Sequence, residues 1–148
     1  MQRFSYFLAL VLLATISGCG GSNNTPNNVG LFGNWNVVMY ANGSSTPTYV
    51  FALAMSQEGS SNYSGSSITY DGSVAIPSNM CINGKALTAS ATTSGSTFNM
   101  TITDTTSETI ISVQGSLATQ TTTLSGTFNN IASASCPAAR GTMSMTPQ

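Results

Sequence analysis

Alternation is the feature that most restricts this chain. From residue 31 onward, apolar and polar residues exchange places at every second position, in short runs cut by turn residues. A two-residue period sends one set of side chains to one face of a strand and the other set to the opposite face. The first run is Leu31–Ala41, with Gly33, Trp35, Val37 and Met39 aligned, and the second is Thr48–Gln57, with Tyr49, Phe51, Leu53 and Met55 aligned. Further strands are predicted over Asn62–Tyr70, Lys85–Ala91, Thr97–Thr103, Glu108–Leu117, Thr121–Phe128 and Arg140–Thr146. Asn42-Gly43, Glu58-Gly59, Asp71-Gly72 and the tight Asp104–Ser107 stretch punctuate them. Helix is disfavoured, because Ser, Thr and 14 Gly dominate where helix formers would be needed.

Eight short strands in chain order predict an all-β, antiparallel, up-and-down meander of about eight strands. Closing such a meander into a small barrel removes its exposed edges. A β-sandwich is the alternative. Gly33, Gly65, Gly115, Gly126 and Gly141 inside the strands suit a barrel, whose corners need bends that Cβ atoms obstruct.

The first thirty residues follow different rules. One basic residue, Arg3, precedes an apolar stretch from Phe4 to Ile16, which is shorter than the roughly 20 residues of a spanning helix. Ile16-Ser17-Gly18-Cys19 comes directly after it and resembles the lipobox of bacterial lipoproteins, with a branched apolar residue, two small residues and the cysteine. The resemblance implies a signal peptide over residues 1–18 and lipidation of Cys19. Residues 19–30 would then be the lipidated Cys and a flexible tether, leaving 31–148 as a single β domain. An ordinary signal peptide with an incidental Cys, or a retained membrane helix, are the alternatives. More than one acyl chain anchors stably where one would be marginal. Gly20 follows the cysteine and no Asp does, which in lipoproteins of two-membrane bacteria implies the outer membrane.

Cys81 and Cys136 fall in the part that would be exported, where an even pair of thiols reads as a disulfide; two buried free thiols are the alternative. In an eight-strand meander, Cys81 before the fourth strand and Cys136 before the eighth lie at the same end, which pairing requires. The bond would strap that mouth, opposite the end where the tether emerges.

Gly33-Asn34-Trp35 resembles the Gly-x-Trp signature of lipocalins, which pair the Trp with an Arg near the end of the last strand. Arg140 instead begins the eighth predicted strand, roughly opposite Tyr40, and no ligand is carried over. The chain is also similar to β-rich bacterial lipoproteins through Leu31-Phe32-Gly33-Asn34-Trp35, Cys81, Leu124-Ser125-Gly126-Thr127, Cys136 and Gly141-Thr142. That likeness implies a fold type and a location, and no activity.

Little in the sequence carries chemistry. It has no histidine, which removes the usual Ser-His and Cys-His nucleophile systems and, with no third thiol free after lipidation, argues against a zinc site. Asp104 and Glu108 flank a three-residue loop and are candidate paired carboxylates, although solvated turn charges more often look this way. Clustered Lys and Arg of the kind that binds nucleic acid are missing. The aromatic residues crowd into the first three strands, so Trp35, Tyr49, Phe51 and Tyr63 form either a ligand wall or a core wall. The expectation is a non-enzymatic envelope lipoprotein without cofactor or metal, with a structural or interaction role. Its membrane contact is the lipid, and its other partner is unidentified. The alternative is an anchored barrel that binds a small apolar ligand.

Overall fold

The computed structural model describes residues 30–68, 81–82, 86–117, 123–133 and 136–148. Cys19, the signal and the tether up to residue 29 lie outside them, as do the ends of the strands predicted at 69–70, 85 and 121–122. Eight strands follow in chain order: β1 (Gly33–Ala41), β2 (Tyr49–Gln57), β3 (Asn62–Ser67), β4 (Leu87–Ser94), β5 (Thr97–Asp104), β6 (Ile110–Ser116), β7 (Leu124–Asn130) and β8 (Ala139–Pro147). Each pairs antiparallel with the next, and β8 returns to β1, with Trp35 opposite Pro147 and Ala41 opposite Gly141. The sheet is a closed barrel, so the sandwich alternative falls.

Strand limits depart from the apolar pattern where backbone geometry takes over. β1 begins at Gly33 rather than Leu31 because Gly33 sits at φ 119°, a region that side-chain-bearing residues rarely adopt. β6 begins at Ile110 rather than Glu108, whose φ of 56° takes it out of extended conformation. β4 runs past Ala91 to Ser94 because Thr92, Thr93 and Ser94 pair with Asn99, Phe98 and Thr97. A two-residue Gly95-Ser96 turn lets that ladder close to its end. β7 extends past Phe128 because Asn130 is paired on both sides, with Ile111 and Ala139.

Alternation along the strands becomes inside and outside of the barrel. Trp35, Phe51, Leu53, Phe98, Ile102 and Met145 are among the inward side chains, each at most 2% exposed. An eight-stranded barrel leaves an interior just wide enough for side chains to fill, and small inward residues make room for large ones. Gly115 stands opposite Phe98, and a Cβ there would overlap the Phe98 ring. A Cβ on Gly141 would overlap the Tyr40 carbonyl oxygen, so the β8–β1 seam closes only over glycine.

Candidate functional site

The barrel has two distinct ends. At one of them, β2, β4, β6 and β8 begin, and there Cys81 and Cys136 form a disulfide with Cα atoms 5.3 Å apart. The bond joins the β3–β4 connection to the β7–β8 connection, on opposite sides of the mouth. Cys136 is 1% exposed and Ile82 is buried beside it, so the strap packs onto the core.

Beneath the strap the apolar core ends in a polar layer. The Tyr49 hydroxyl donates to Asn130 Oδ1 at 3.1 Å and lies 3.8 Å from Cys81 Sγ. Asn130 Nδ2 donates in turn to the Pro137 carbonyl at 2.9 Å. Burial pushes the Tyr49 phenol above its usual value, since the phenolate would lose its hydration. Thr109 Oγ1 lies 3.1 Å from Ser133 Oγ, and that oxygen accepts the Cys136 amide at 3.2 Å. Asn130, Thr109 and Asp104 are each 1% exposed. Sequence reasoning missed Asn130, Thr109 and Ser133, because short polar residues in Ser/Thr-rich connections look like solvated turn residues.

The opposite end is closed by a local device. Leu31 is fully buried, and its carbonyl accepts the Trp35 indole N–H at 2.9 Å. Gly33, at its positive φ, bends the backbone between them. The Leu31-x-Gly33-x-Trp35 pattern is therefore one unit: a plug, a bend and a donor that holds the plug. Gly30, the first described residue, lies at this end beside Tyr63, away from the disulfide.

The four aromatic residues singled out in the sequence all enter one buried cluster. Trp35 is 2% exposed, Tyr49 and Phe51 1%, and Tyr63 8%. Tyr49 meets Phe128 edge-to-face, with ring centroids 5.7 Å apart. Asp104 and Glu108 do not form a facing pair of carboxylates. Asp104 is buried, and its Oδ1 accepts the Thr106 and Ser107 amides at 2.7 and 3.1 Å, while Glu108 is exposed. That carboxylate shapes the β5–β6 turn. Arg140 begins its strand's exposed face but stands against Asn42, whose amide donates to the Arg140 carbonyl, and Tyr40 pairs with Thr142. Trp35 and Arg140 are thus at opposite ends of the barrel, unlike the lipocalin pairing.

Outside, β4 to β7 present Ser, Thr, Asn and Gln. An open depression of about 300 Å³ crosses β4–β6, edged by Ser90, Thr92, Asn99, Thr101, Ser112 and Gln114. A second, of about 280 Å³, lies at the strapped end between Asn129, Ala138, Ala139 and Arg140. Along β4–β7 the outward row is mainly polar and the inward row mainly apolar, whereas the lipid-facing band of a membrane-spanning barrel must be apolar.

No protein-family model matches the chain, and no curated protein is significantly similar to it. Among solved structures it is similar to a redesigned β-barrel, with a TM-score of 0.51 and 14% identity over 80% of this chain and 91% of that one. The likeness is one of fold.

Proposed function

We propose that the chain is a lipid-anchored cell-envelope protein whose barrel has a structural or interaction role. The observation that carries this reading is the filled and capped interior. The inward side chains occupy the barrel, and the disulfide with its Tyr49–Asn130 layer closes one mouth. Trp35, Tyr49, Phe51 and Tyr63 act as a core wall, which favours this role over carriage of a small apolar ligand. The Cys81–Cys136 bond supports an oxidising, exported setting. The lipobox-like Ile16-Ser17-Gly18-Cys19 supplies the anchor, and Gly20 after it favours the outer membrane. An 11-residue tether over 20–30 has a mean span of about 17–20 Å, from roughly 5–6 Å times the root of its length. The barrel then hangs close to the bilayer with its strapped end directed away.

In this reading the domain works through its outer surface and performs no chemistry of its own. Fractionation of cells producing Cys19→Ser tests the anchor. The variant should leave the membrane fraction or accumulate as an uncleaved precursor, while the wild type stays membrane-bound and acylated at Cys19. A wild-type protein processed elsewhere and free of acyl chains would remove the anchor.

A further inference from the structure

The two ends of the barrel differ in charge and in what they expose. Of the charged groups among the described residues, Asp104, Glu108 and Arg140 lie at the strapped end, where β5 stops and β6 and β8 start. The other end holds Glu58 alone, in the β2–β3 connection, where its Oε1 accepts the Ser64 hydroxyl. The rest of that rim is neutral, made of residues 59–61, the Gly95-Ser96 turn and Gln148.

Phe32 stands at this neutral rim and is 70% exposed. A single exposed apolar residue is ordinary, but Phe32 is held out by its neighbours. Leu31 fills the end of the core, the Trp35 indole fixes its carbonyl, and Gly33 turns the chain at φ 119°. The backbone that carries Phe32 is therefore pinned while its ring stays in water.

Chain length decides what meets this ring. Gly30 sits against the barrel, where an added Cβ would come 3.2 Å from the Tyr63 hydroxyl oxygen. Residues 20–30 separate Cys19 from Leu31, and a segment of that length has a mean span of about 17–20 Å. β1 has nine residues, so it covers about 21–25 Å along a barrel axis that it crosses at about 35–45°. A lipid on Cys19 brings the Phe32 end to the bilayer within the ordinary reach of the tether. The strapped end would get there only by stretching it, and would carry its charges into the interface. Held nearby, the barrel meets lipid at the effective concentration that the tether sets, which populates a contact too weak to recruit a free protein. The boundary between headgroups and acyl chains takes up a phenyl ring and resists the desolvation of carboxylates.

We infer that Phe32 inserts into the headgroup–acyl boundary of the membrane that anchors the chain, and seats the barrel with its neutral rim on the lipid. The inference rests on the lipid anchor proposed above and adds a second contact, made by the folded domain itself.

The test observes the full processed, acylated chain by NMR in phosphatidylcholine nanodiscs. One sample carries lipid with a spin label near the top of the acyl chain, and another a water-soluble paramagnetic chelate. The Phe32 ring should be broadened by the lipid label and shielded from the chelate. The Ile110 and Ile131 methyls, exposed at the strapped end, should show the reverse. Phe32→Ser should lower the ratio of seated to free barrel about tenfold, as returning one largely exposed apolar side chain to water implies. Phe32→Leu should keep most of the seating. Unchanged signals from the buried Ile102 and Ile111 methyls report that each variant is folded. A Phe32 ring as open to the chelate as Ile131, or a Phe32→Ser chain seated as firmly as the wild type, would overturn the proposal and leave the anchor intact. A chain that carries no acyl group would overturn the anchor and this contact together, and mass analysis of the processed protein tells the two cases apart.

Discussion

The β1–β2 and β4–β5 hairpins have the same topology and opposite economies of side chains. In β1–β2 the inward pairs are large on both sides, Trp35 with Leu53, Val37 with Phe51 and Met39 with Tyr49. Outward, Val38 stands opposite Val50 and Asn36 opposite Ala52, and the β2 residues Val50 and Ala52 are only 2% and 1% exposed. In β4–β5 the inward pairs set small against large, Ala89 with Ile102 and Ala91 with Met100, and the outward ladder is Ser, Thr and Asn throughout. In the first hairpin β2 is buried on both faces, whereas each strand of the second is buried on one. A small barrel needs this inequality, since its interior holds bulky rings from one wall only if other walls offer Ala and Gly.

The largest effect should come from truncating the two-faced hairpin where it is also hydrogen-bonded. Trp35→Ala removes a buried ring and the donor that holds the Leu31 carbonyl. Denaturant unfolding should show a loss of about 3–5 kcal/mol, as buried aromatic truncations do. A loss below about 1 kcal/mol, with apolar probes gaining binding, would turn Trp35 into a ligand-wall residue and break the comparison at its centre.

Much of this contrast is readable in the sequence. Alternation located all eight strands, and parity along the meander placed Cys81 and Cys136 at one end, where the structure bonds them. The outward burial of Val50 and Ala52 was not legible, because the run Tyr49–Met55 is apolar on both faces, with no polar partner row to mark the outward side. Strand ends were misplaced where backbone geometry overrides side-chain pattern, as at Gly33, Glu108 and Ser94. The polar layer of Asn130 and Thr109 stayed hidden, since burial of a short polar residue depends on what crosses above it.

An intermediate effect separates the outer faces. Val50→Thr keeps the shape of the side chain and buries a hydroxyl on the outward face of β2, where Val50 is 2% exposed. An unpaired buried hydroxyl costs about 1–3 kcal/mol. A neutral result in thermal unfolding would show that this face is wetted in solution and that the two hairpins differ only inside.

Tyr49 extends the contrast to pH. Its phenol is raised above 10.0 by burial, while the unfolded chain titrates near that value. The unfolded state therefore releases its proton first. The associated stability is fully present below pH 10 and is lost as pH rises through the folded value. Tyr49→Phe should flatten this alkaline decline. At neutral pH it should cost about 1–3 kcal/mol, because Asn130 Oδ1 is left buried without its donor. An unchanged alkaline limb in the variant would assign the decline to another group.

The smallest effect is expected on the one-faced hairpin. Thr101 sits outward on β5 between Ser90 and Ser112, exposed, with its own backbone in the ladder and its side chain over the shallow β4–β6 depression. Thr101→Val keeps the β-branched shape that suits a pleated surface and removes one hydroxyl that water already satisfies. Its change in stability should stay within about 0.5 kcal/mol, as surface substitutions do. Chemically this is the reverse of Val50→Thr on the same kind of outward position. Comparing the two in one thermal-unfolding experiment isolates burial from strand propensity. If Thr101→Val is as costly as Val50→Thr, the hydroxyl ladder of β4–β6 is itself a structural network, and the outer wall cannot be treated as passive.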